Sequence, residues 1–160
     1  RTGHAASADE VARRLEQRIA AVRRAVASRT RPRVLLVFGR ETGSLRNVYA
    51  SGGRGFLHDM LTAAGGANVF ADVGQESVQA TIELVLARAP DVILELHERP
   101  DWTAADTAAA QAAWGRLAAV PAVKAGRVQV LAGEGLVVPG PRVATAVERI
   151  AAALHPGARP

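Results

Sequence analysis

Cysteine is absent from the 160 residues, which excludes both a disulfide framework and a thiolate metal site. Aromatic side chains are scarce, with three Phe, two Trp and one Tyr, and they form no stacking platform for nucleic acid. No apolar run approaches the roughly 18 residues of a membrane span. The opening RTGHAASADE is not a signal peptide, so an export signal, if there is one, is expected upstream of Arg1. Standard catalytic signatures are missing as well. Gly52, Gly53 and Gly55 do not make GxGxxG because position 58 is His58, and there is no GxxxxGK[ST], GxSxG or HExxH.

What is present suits one domain, since 49% apolar residues over this length can bury a real core. The net charge of +5 comes largely from arginine, much of it between Ser7 and Arg29. Acidic residues are interspersed there, so the basic balance does not make a nucleic-acid surface, and no nucleic-acid partner is expected.

Periodicity gives an alternation of helices and strands. Ser7 with Glu10 reads as a capping box, and Val11, Leu15, Ile19, Val22 and Val26 fall on one face of a helix running to Arg29. Val34 to Phe38 and Val92 to Leu96 are continuous apolar runs expected of strands buried on both faces. Leu57 to Ala64 reads as a short helix with Gly65 at its left-handed end, and Val69-Phe70 as a very short strand. Ser77 is placed to cap the next helix, with Val78, Ile82, Val85 and Leu86 facing inward. Asp106 to Leu117 reads as a helix, Val128 to Leu131 as a strand and Pro141 to Leu154 as a helix. The expected fold is therefore α/β, a three-layer α/β/α lobe with a mostly parallel sheet of four to five strands, preceded by one long helix.

Ligands in such folds bind at the carboxyl ends of the strands. The loops there are Gly39 to Gly55, Ala71 to Gln75, His97 to Ala105 and Ala132 to Gly140. They bring polar or aromatic groups such as Arg40, Arg46, Tyr49, Arg54, His97, Arg99 and Trp102 toward one edge. Strand alternation sends Glu95 and His97 to the same side, and with Glu98 they begin a metal site. The remaining ligands are not in view, so these residues read as a polar rim and no resident metal is expected. His58-Asp59 opens a helix, where Asp suits the dipole, and is not read as a catalytic pair.

From Arg33 to Pro156 the chain resembles the C-terminal lobe of the cobalamin and ferric-siderophore class of ABC-transporter substrate-binding proteins, the helical-backbone type. The resemblance rests on Val34 to Val37, GFLHDML (55–61), AGGANVF (64–70), Gln79, Glu83, APDVI (89–93), Gly126-Arg127-Val128, Gly140-Pro141-Arg142 and Leu154-His155-Pro156. The helix before Arg31 resembles the one that links the two lobes of that class. The resemblance thus implies a linking helix over residues 1–30, a C-terminal-type lobe over 31–160, and an N-terminal lobe that is not in this chain.

It also implies a function: extracytoplasmic capture of a metal chelate, a corrinoid, haem or ferric siderophore, and delivery to the permease subunits of an ABC importer, without catalysis and without a cofactor. Glu83 falls where the class carries a surface glutamate that pairs with permease arginines. Arg40, Tyr49, Ser77, Trp102 and Arg142 fall in its lobe-facing loops, joined by His97 at the end of a strand. Tyr49 and Trp102 suit a corrinoid or haem, Arg40, Arg46 and Arg54 an anionic siderophore, and both remain open. Ser77 stands where cobalamin receptors often carry an aromatic. A periplasmic or lipid-anchored location follows from the resemblance. So does a part-exposed stripe on the first helix, to be covered by the missing lobe or a second copy of the chain. The alternative reading, a small α/β enzyme or nucleotide-binding domain, lacks a phosphate loop.

Overall fold

A computed structural model describes residues 2–158. In chain order the elements are α1 (Thr2–Val26), β1 (Arg33–Gly39), β2 (Tyr49–Ser51), α2 (Phe56–Ala63), β3 (Ala67–Asn68) and β4 (Ser77–Gln79), then α3 (Ile82–Arg88), β5 (Val92–His97), α4 (Ala104–Trp114), α5 (Pro121–Lys124), β6 (Val128–Ala132) and α6 (Val143–Leu154). The two apolar runs singled out in the sequence become the paired central strands, with Val34 opposite Val92 and Val37 opposite Glu95 in parallel register. β6 extends the sheet beyond β5 in parallel, and β3 lies parallel beside the start of β1. The strand order is β4-β2-β1-β5-β6, with β3 paired to β1 off this path.

Strand alternation divides the core. Val34, Leu36, Val92, Leu94 and Leu96 face α1, α2 and α6, burying Val22, Val26, Leu61, Val147 and Ile150 with them. Leu35, Val37 and Ile93 face the opposite layer, where Phe70, Val85, Trp114 and Val120 close over them. Helices on both faces of a mainly parallel sheet give the three-layer α/β/α fold.

Several local expectations are corrected. The first helix begins by Thr2, so Ser7 and Glu10 lie inside it and form no capping box, and it ends at Val26 rather than Arg29. Strand pairing falls on Ala67–Asn68 instead of Val69-Phe70, because Ala67 and Asn68 are the residues that meet Arg33 and Val34. Ser77 caps no helix. It opens β4, which runs antiparallel to β2 with Ser77 opposite Ser51, and the cap of α3 is Thr81, whose hydroxyl accepts the Leu84 N–H at 3.3 Å. Of the apolar face assigned to that helix only Val85 is buried in α3, while Val78 is half-buried in β4. β2, inside what read as a loop, and β4, inside what read as the start of a helix, form an antiparallel arm.

Candidate ligand-binding site

The parallel strands β1 and β5 end side by side, and the chain leaving each one turns over the same edge of the sheet. The first carries Arg40 immediately after Gly39, and the second ends on His97 and reaches Trp102 before Thr103 caps α4. Between them lies a cavity of about 200 Å³ whose lining includes Gly39, Arg40, Thr42, His97, Arg99 and Trp102.

Its floor is charged but closed. Glu95 is buried in β5 and turned toward α4, as period-two alternation from His97 requires. Arg40 Nε donates to Glu95 Oε1 at 2.5 Å, and Trp114 Nε1 donates to the same oxygen at 2.6 Å. His97 Nε2 stands 2.9 Å from Oε2. Burial pushes the Glu95 carboxyl upward, but the hydrogen bonds from His97, Arg40 and Trp114 outweigh it and hold the group below the usual carboxylate range. An ionised carboxylate only accepts, so Nε2 of His97 carries the proton in this pair and Nδ1 is the nitrogen left for other partners. Arg40 Nη2 donates to Glu95 Oε2 at 3.4 Å, and Nη1 is spent on the Ser44 and Glu41 carbonyls at 2.8 and 3.1 Å. Arg40 thus builds the cavity and has little left to offer an anion.

The wall is aromatic. The His97 and Trp102 rings stack with centroids 3.9 Å apart and planes inclined by 22°. Trp102 is fixed from behind by its Nε1–H bond to Thr107 Oγ1 at 2.8 Å, and the Arg99 guanidinium lies 5.5 Å over its ring. Arg99 is itself braced by Asp101, at 3.1 Å through each of two nitrogens. A half-open cavity with a held imidazole, a held indole and a guanidinium at its rim is suited to stacking against a flat conjugated or anionic group.

Glu98 turns away from this cavity. Its carboxylate accepts the backbone N–H groups of Gly135, Leu136 and Val137, at 3.0 Å for the last two, and so ties the loop after β5 to the loop after β6. Desolvation raises its pKa, yet those three N–H groups more than compensate and lower it overall. Among the described residues no group of three His, Asp or Glu side chains is placed to hold a metal ion.

Of the other residues expected at the site, Tyr49 opens β2 opposite Gly39, exposed and beside the cavity without lining it. Ser77 is exposed on the outer strand β4, and Arg142 is exposed before α6, paired with Glu134, and neither lines the cavity. Glu83 is exposed on α3. Trp114 was overlooked in the sequence, where it reads as one apolar residue in an alanine-rich helix, and only the fold reveals its N–H on Glu95.

Helices cover both faces of this α/β sheet, and a cavity walled by stacked rings lies at the carboxyl edge of its strands, where folds of this class take their ligands. The chain belongs to the periplasmic binding protein family, whose model matches residues 1–134. It is 31% identical over 116 residues to the vitamin B12-binding protein of Salmonella typhi, covering 72% of this chain and 40% of that one. Among solved structures it superposes on an ABC-type Fe3+-hydroxamate transport protein of Saccharomonospora viridis with TM-score 0.77 and 30% identity, over 92% of this chain and 49% of that one. The periplasmic haem-binding protein RhuT of Roseiflexus matches with TM-score 0.71 and 28% identity, over 94% and 56%. The chain therefore spans about half the length of the relatives it matches.

Proposed function

We propose that this chain is the C-terminal lobe of an extracytoplasmic solute-binding protein that captures a metal chelate, a corrinoid, haem or ferric siderophore, and hands it to the permease subunits of an ABC importer. The observation that carries the reading is the His97–Trp102 stack beside Arg99 at the carboxyl edge of β1 and β5, in a member of the periplasmic binding protein family. The names of its relatives, which bind vitamin B12 or haem or belong to Fe3+-hydroxamate transport, supply the cargo class. His97 and Trp102 contact the cargo through their rings. Arg40 positions the floor, and Tyr49, Ser77 and Arg142 meet the part of the cargo that extends beyond the cavity or the other half of the protein. Glu83 pairs with a basic residue of the permease. Binding and release involve no covalent step.

This chain holds two tryptophans, of which Trp114 is fully buried while Trp102 lines the cavity. Titrating the whole protein with cyanocobalamin, haem and a ferric hydroxamate is expected to quench tryptophan emission with one of them, and Trp102→Phe to remove the Trp102 share of that quench and to weaken binding of the same ligand. The same ligand raises thermal stability without being turned over, by about 2.7 kcal/mol at a hundred times its Kd. Stabilisation by a nucleotide and by none of the three chelates overturns the proposal.

A further inference from the structure

Helix α3 departs from the usual pattern of a surface helix. Of its seven residues only Val85 is buried, while Ile82, Leu84 and Leu86 are 42%, 37% and 42% exposed. At 100° per residue, Ile82 and Leu86 lie one turn apart on one face, and Glu83 follows 60° beyond Leu86, with Ala87 and then Leu84 on its far side. The carboxylate therefore stands on the exposed crest of the helix, with Leu86 and Ala87 beside it and Ile82 and Leu84 on its two flanks. No ion pair or hydrogen bond engages the Glu83 side chain among the described residues. The basic residue of its own helix, Arg88, is committed to the Val69 carbonyl at 2.8 Å and to Asp72 at 2.6 Å.

The helix is attached at both ends and at its centre despite its exposure. Thr81 caps its start, Ala89 closes its end in the left-handed region at φ 45, and Val85 anchors it to the sheet. A ridge fixed in this way, carrying uncovered aliphatic groups around one unpaired charge, has the composition of the centre of a protein contact rather than of a solvated face.

We infer that Ile82, Leu86 and Leu84 form an apolar collar around Glu83, and that α3 docks a membrane-protein loop presenting an arginine or lysine set among aliphatic side chains. This rests on the reading of Glu83 as the permease contact and changes its physics. A bare exposed ion pair is screened over a Debye length of about 8 Å at physiological salt, whereas a pair sealed by apolar neighbours is desolvated and keeps its strength. The collar makes docking resistant to salt and restricts it to partners whose basic residue has an apolar surround.

The test uses the whole receptor and its importer in lipid nanodiscs, with binding followed at low salt and at about 0.5 M salt. The native receptor is expected to dock nearly as well at high salt as at low salt, whereas Ile82→Ser with Leu86→Ser is expected to weaken docking about tenfold at low salt and further at high salt, leaving the receptor's thermal stability and chelate binding unchanged. Glu83→Gln is expected to weaken it comparably. If Glu83→Gln weakens docking and the double serine variant does not, the collar is disproved while Glu83 keeps its role. If neither variant weakens docking, the permease-contact reading falls and the collar with it. Maleimide labelling of Leu86→Cys gives an independent check: rapid labelling of the free receptor that slows on docking supports the collar. Protection in the free receptor places α3 against another part of the same protein and overturns the proposal.

Discussion

Glu95 sits in the middle of an otherwise aliphatic strand, and its presence there depends on complete pairing: Arg40, Trp114 and His97 all engage its two oxygens. Arg40 is nearly as buried as its partner, with 6% of its side chain exposed. Glu95→Ala leaves that guanidinium uncompensated and is expected to cost about 3–5 kcal/mol in urea unfolding. The pH dependence follows from the direction of the shift. The folded carboxyl titrates below its ordinary value of 4.5, so its contribution is complete above that pH and is lost as pH falls through the lower folded value. The stability difference between the native protein and Glu95→Gln should therefore shrink between pH 7 and acid conditions below the carboxylate range. A difference that stays constant on acidification would contradict this account. Alternation in the sequence already placed Glu95 and His97 on one side. It could not supply Arg40 and Trp114, which stand 55 and 19 positions away and meet the carboxylate only once β1 pairs with β5 and α4 packs down.

At the scale of elements, the antiparallel arm depends on two glycines. Gly52 N–H donates to the Glu76 carbonyl at 3.0 Å and Gly53 N–H to the Val73 carbonyl at 2.8 Å, which brings the segment after β2 flat against the segment before β4. A Cβ at position 52 falls 2.0 Å from the Gln75 carbonyl oxygen, and one at position 53 falls 2.2 Å from that of Ala71. Backbone cannot yield as a side chain does, so Gly52→Ala is expected to lower stability by at least about 1–3 kcal/mol. Gly74→Ala, where a Cβ meets nothing within 4 Å, is the matched control in the same turn. Equal unfolding midpoints for the two variants would show that the arm tolerates separation. This is also where the sequence was least legible. Ser77 to Leu86 carries apolar residues at helical spacing, yet its first three residues are a strand, because β2 offers a pairing edge that the glycine turn brings into reach. The long-range strands were legible because each is apolar on both faces. The stretches AGG (64–66) and LHP (154–156), on which the resemblance partly rested, were legible as words, and the fold brings them into contact: His155 Nε2 donates to the Gly65 carbonyl at 3.1 Å, and Gly65 takes φ +83 to close α2.

At the scale of the molecule, α1 belongs to two environments. Its last two turns are core: Val22 and Val26 are buried against α2, α6 and the sheet, Ile19 packs at their edge, and Arg18 binds Glu148 through 2.9 and 2.7 Å contacts and Thr145 at 2.9 Å. Toward the start the same stripe comes free, with Leu15 half-buried and Val11 46% exposed. The sequence marked all five apolar positions but could not say which of them this lobe uses, because periodicity records a buried face without naming its partner. A helix of about 12–15 residues with no packing is marginal in water, so the first turns of α1 gain from any apolar cover. In the whole protein we expect the other half to provide it. For the 160-residue chain alone the available cover is a second copy, so its mass by light scattering should rise with concentration. Val11→Glu with Leu15→Glu should hold it monomeric, with the unfolding midpoint of the lobe unchanged because neither residue is in its core. A strict monomer at every concentration would mean that the stripe is too narrow to associate and that the first turns of α1 stand in solvent unaided.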